Sequence, residues 1–150
     1  MTQAVLAGAL AVAVLNALPA LLGAWRWYRG EPSSAFWILL RVGQGSALVL
    51  AIVAGSLAVA GHDSTDGLFY LYALLPLAVA FVAEQLRVAS AQTILDQRDL
   101  PDAQAVGTLT EAEQHAVVAT ILAREMGIMA LSALVVVFLA LRAAGTAHGF

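Results

Sequence analysis

Glu84 and Arg87 stand three residues apart in one apolar stretch, and Arg124 and Glu125 stand side by side in another. With Arg41 and Gln44, they are the side chains best equipped for chemistry in a chain made mostly of Ala, Val, Leu and Gly. A carboxylate flanked by guanidinium groups can hold an ion pair or relay a proton, a free Arg can take an anionic headgroup, and an amide such as Gln44 can donate to either. Arg87 lies one helical turn from Glu84 and shares its face. The expectation is an ion-pair ring of Arg41, Glu84, Arg87, Arg124 and Glu125 that ties three helices together, with Gln44 one turn inside Arg41. A ring of this kind specifies packing more than it adds stability.

Other chemistry lacks its residues. The chain has no Cys, which removes disulfides, thiolate metal sites and thiol redox reactions. His62, His115 and His148 are scattered, and Glu111 with His115, at i and i+4, reads as a solvated helix face rather than half of a metal site. No Ser has a His and an acid placed to activate it, and the glycines form no phosphate loop. No catalytic residue, metal site or cofactor is expected. All seven basic residues are Arg and the net charge is −3, so a nucleic-acid footprint is absent.

The elements that must position these side chains are membrane helices. Of 150 residues, 61% are hydrophobic and 11% charged, against about 45–50% and about 25% in soluble domains; mean hydropathy is +0.86. Four apolar segments, 3–25, 35–60, 68–95 and 111–141, each exceed the ~20 residues needed to cross a ~30 Å hydrocarbon core. Only helices and closed barrels satisfy their backbone in lipid, and the alternation of barrel strands is missing. The predicted fold is an all-α, single-domain bundle of four transmembrane helices, with the third and fourth extended into the cytoplasm. The first segment has no basic residue before Arg26 and is expected to be retained as a span rather than cleaved.

Orientation follows from the arginines. Arg26, Arg29 and Arg41 surround the first connection and Arg87, Arg98 and Arg124 the third, whereas 61–67 carries only His62, Asp63 and Asp66. The positive-inside rule then puts both termini outside a bacterial inner membrane and the Arg-bearing connections in the cytoplasm. Counting ~20 residues inward from the outer ends places Arg41, Arg87, Arg124 and Glu125 at the cytoplasmic rim, where long Arg side chains reach headgroups at little cost. Trp25, Trp27, Tyr28, Phe36 and Trp37 form an aromatic belt there. Thr110 and Glu113 match a capping box that starts the fourth helix.

Two further features concern packing. Asn16, near the midplane and followed by Pro19, reads as a polar group satisfying local backbone at a kink. Gly43, Ala47, Ala51 and Gly55 recur at every fourth position of the second helix, a small-residue stripe that admits close approach of another helix.

The functional expectation is a non-catalytic subunit or accessory protein of a larger inner-membrane assembly, with another membrane protein or a second copy as partner and membrane lipid around it. Two alternatives stand beside it. One is a small homo-oligomeric transporter or channel that uses the Glu/Arg cluster. The other is a lipid- or quinone-handling membrane enzyme or binding protein whose Arg41, Arg87 and Arg124 recognise an anionic headgroup.

Overall fold

A computed structural model describes residues 2–149. Four α-helices follow one another in the chain: α1 (Thr2–Arg29), α2 (Ser34–Val59), α3 (Leu68–Asp96) and α4 (Glu111–Thr146), with a 3₁₀ turn at Ala105–Thr108 before α4. All four are long and apolar enough to cross a membrane. They form a four-membered ring in which α4 packs along α1 and α3, α2 packs on α1 and less extensively on α3, and α2 and α4 lie on the diagonal.

The interior is rich in alanine around a few large side chains such as Phe36, Phe69 and Met129, while many Leu, Val and Phe face outward. Ala9, Ala13, Ala47, Ala73, Ala140 and Ala143 are buried, while Leu21, Phe81 and Leu131 are 70%, 66% and 63% exposed. That distribution fits a hydrocarbon solvent, in which large side chains gain nothing by leaving the surface and close backbone approach drives packing. Two glycines seat aromatic rings. A Cβ at position 23 would stand 2.5 Å from the Phe36 ring, and one at position 127 would stand 2.9 Å from the Trp27 indole.

Local chemistry sets the helix ends. Ser33 accepts from the Phe36 amide at 3.3 Å and starts α2. Thr110 accepts from the Glu113 amide, and the Glu113 carboxylate accepts from the Thr110 amide at 3.0 Å, so the reciprocal capping box starts α4. The C-termini of α1, α2 and α3 close alike. The Gly30 amide donates to Trp27 and that of Glu31 to Arg26; Gly61 donates to Ala58 and His62 to Leu57; Asp99 donates to Asp96 and Leu100 to Leu95. These are Schellman motifs, in which one residue takes a left-handed conformation. Gly30 (φ 67°) and Gly61 (φ 73°) do so freely, but Asp99 (φ 55°) carries a side chain there.

The two longest helices outrun a bilayer. α3 has 29 residues and α4 has 36, or ~44 Å and ~54 Å at 1.5 Å per residue, against ~30 Å of hydrocarbon. Their joined ends form a projecting hairpin with its own small core of Leu95, Leu100 and Val117, flanked by Val106, Leu109 and Ile121. At the opposite end of the bundle the C-terminal tail is tied to the α2–α3 connection: the His148 carbonyl accepts from the Thr65 amide at 2.9 Å and from Ser64 Oγ at 3.0 Å.

Candidate functional site

Arg41 and Glu84 stand at matched depths on antiparallel neighbours. Arg41 lies ~27 Å from the Val59 end of α2, and Glu84 ~24 Å from the Leu68 start of α3, measured along the helix axes. That register brings Arg41 Nη1 to 2.7 Å from Glu84 Oε1. The same nitrogen donates to Gln44 Oε1 at 2.6 Å, one turn along α2. From the other side, Arg87 Nε approaches Glu84 Oε2 at 3.2 Å, although its N–H is not aligned for a hydrogen bond. The Arg87 guanidinium also lies over the Trp37 ring, 5.6 Å from its centroid. Glu84 is therefore held by two cations, and the second cation is held by an aromatic face.

The clamp is narrower than the expected ring. Arg41, Gln44, Glu84 and Arg87 come together, whereas Glu125 is half-buried within electrostatic reach of Arg87 and Glu84 and makes no hydrogen bond or ion pair among the described residues. Arg124 is exposed beside Trp27, on the side of α4 that meets α1. The reason is rotation: adjacent residues on a helix point ~100° apart, and α4 lies between α1 and α3, so Arg124 and Glu125 cannot both face the α3 carboxylate.

Asn16 is fully committed as a donor. Its Nδ2 donates to the Val12 carbonyl at 2.9 Å and, across the helix interface, to that of Gly43 at 3.1 Å. It thus reaches one turn back along α1 and over to α2, and joins them where the sequence suggested only local backbone. The small-residue stripe behaves in two parts. Gly43, Ala47 and Ala51 are buried, while Gly55 is exposed with open space where a Cβ would be. Steps of four residues drift ~40° each around a helix, so by Gly55 the stripe has turned off the seam and Leu50 and Ala54 occupy the buried positions.

Two participants escaped sequence reasoning, Gly23 under Phe36 and Gly127 under Trp27, and Trp37, expected in the aromatic belt, was not linked to Arg87. The signals were present, since Trp37 stands four residues before Arg41 on the same face of α2 and both glycines interrupt strongly apolar helices. Glu111 and His115 are both exposed, and among the described residues no group of three or more His, Asp or Glu converges on a metal position.

No family model, curated protein or solved structure matches the chain. Geometry and chemistry alone bear on what it does.

Proposed function

We propose that the chain is a non-catalytic subunit or accessory protein of a larger bacterial inner-membrane assembly, with both termini outside and the α3–α4 hairpin reaching into the cytoplasm to meet its partner. The observation that carries this reading is the hairpin itself. It is a projection with a core separate from the bundle, closed at one side by a Schellman motif and at the other by a capping box. Residues Asp96, Arg98, Asp99, Asp102, Glu111 and His115 are exposed on it. A lipid-embedded bundle has no packing need for such a structure, whereas a docking platform does.

The rival reading as a transporter finds less support. The Glu84 carboxylate is already held by Arg41 and Arg87. The hydroxyls deeper in the bundle are spent on their own helices: Ser46 donates to Gly43, Ser56 to Ile52 and Ser132 to Met129. A polar pathway would need such groups turned towards one another.

The test is photo-crosslinking in intact cells with a reactive residue at Arg98 or His115 on the hairpin and, as control, at the 92% exposed Val59 at the far end of α2. A single heavier adduct from the hairpin positions, absent from Val59, is the expected result. Purification in mild detergent as an isolated monomer with no hairpin adduct would overturn the reading.

A further inference from the structure

Arg124 has no hydrogen-bond or ion-pair partner among the described residues. It stands at the rim of a lateral cavity of about 830 Å³ between α1 and α4, with Thr120, Trp27, Gly127 and Leu131 also on its wall. A second cavity of about 190 Å³ shares Trp27, Gly127 and Leu131 and continues along the same seam to Leu21 and Leu134. The seam therefore runs from a cation to a purely aliphatic floor. One guanidinium at the rim, an indole at its side and an apolar seam that narrows along the helices match the polarity profile of one phospholipid.

We propose that this α1–α4 groove is a binding site for a single anionic phospholipid, its phosphate on the Arg124 guanidinium and one acyl chain along Gly127, Leu131 and Leu134. Charge complementarity decides the occupant. Arg41 and Arg87 share the Glu84 carboxylate, and Arg26 and Arg29 share that of Glu31, so each of these four has a carboxylate beside it and Arg124 has none among the described residues. Arg124 is thus left to an external anion. The Trp27 indole Nε1 has no hydrogen-bond partner among the described residues and stands close to the Gly127 backbone, at the level where lipid ester oxygens lie beneath a headgroup. Gly127 keeps the trough open: a side chain there would collide with the indole at 2.9 Å and displace it. The site is independent of any partner at the hairpin.

Native mass spectrometry of the protein released from vesicles of equal phosphatidylglycerol and phosphatidylcholine tests this directly. One phosphatidylglycerol retained per protomer, in about tenfold preference to phosphatidylcholine, is expected. Arg124→Gln should abolish the preference, and Ala119→Leu, an exposed position on the groove wall, should lower retention while leaving thermal stability in detergent unchanged. Arg142→Gln, at the opposite end of α4, should leave both unaltered. Equal retention of the two lipids by the wild-type protein, or retention of phosphatidylglycerol by Arg124→Gln at the wild-type level, would overturn the proposal.

Discussion

Arg41 Nη1 meets Glu84 Oε1 at 2.7 Å, joining α2 to α3 where the two helices reach the same depth. Its energetics are asymmetric. Glu84 serves two cations, so its loss leaves Arg41 and Arg87 both unpaired, whereas loss of Arg41 still leaves Glu84 with Arg87. Arg41 is 54% exposed, which reduces the value of its half of the clamp. Glu84→Gln should cost about 1–2 kcal/mol and Arg41→Gln less than half of that. Thermal unfolding in detergent would show the order, and equal losses would mean that Glu84 is not the hub.

Gly43 offers a sharper contrast. A Cβ there would lie 2.7 Å from Asn16 Oδ1 and 3.1 Å from the Leu15 carbonyl, both fixed in the α1–α2 interface. Gly43→Ala should therefore cost about 1–3 kcal/mol through overpacking. At Gly45, two residues on and facing outward with nothing within 4 Å, the same change should gain about 0.5–1 kcal/mol from helix propensity. Opposite signs in one stability series are the expected outcome.

How much of this was legible in the sequence depends on the range of the interaction. The capping box at Thr110 and Glu113 is local, within one turn, and could be read from residue types. The last turn of α1 was harder to read. Hydropathy falls away after Trp25, but the helix runs on to Arg29 because Gly30 supplies the stop. The end of α3 was legible to within one residue, because the apolar run stops at Leu95 before Asp96, Arg98 and Pro101, but which residue there turns left-handed was not. Which of Arg124 and Glu125 would face α3 depends on the rotation of α4 between two neighbours, a tertiary quantity that spacing alone does not carry.

Asp99 is itself a testable strain. Its φ of 55° is one that glycine adopts without penalty. Asp99→Gly should stabilise the hairpin by about 0.5–1 kcal/mol, and Gly30→Ala, the mirror experiment at φ 67°, should destabilise by a similar amount. Hydrogen exchange of the Leu100 and Glu31 amides would report each motif separately.

The start of α4, on the projecting hairpin, should respond to acid. The Thr110 hydroxyl and amide both donate to the Glu113 carboxylate and hold its pKa below the usual glutamate value. A lowered carboxylate pKa contributes stability that is present above the ordinary glutamate range and lost as the pH falls through the lowered value. The first turn of α4 should therefore hold at neutral pH and fray only in acid. In Thr110→Val fraying should begin at higher pH. Amide exchange at Gln114, whose acceptor is the Thr110 carbonyl and is kept in the variant, corrected for its intrinsic pH dependence, measures the difference.

Leu100 separates folding of the hairpin from folding of the bundle. It is buried with Leu95 and Val117 in a cluster that shares no residue with the two cores of the transmembrane region. Leu100→Ala should cost the hairpin about 2–3 kcal/mol, the lower part of the range for such truncations because the cluster is small and near the surface. The bundle should keep its detergent stability, since nothing in its cores touches the change. If the hairpin is the docking platform, the crosslinked adduct at Arg98 should then weaken in Leu100→Ala and recover only in part when Asp99→Gly is added, because the glycine firms the same turn by less than the lost leucine loosens it. An adduct that persists unaltered through both variants would mean that the partner reads the chain elsewhere.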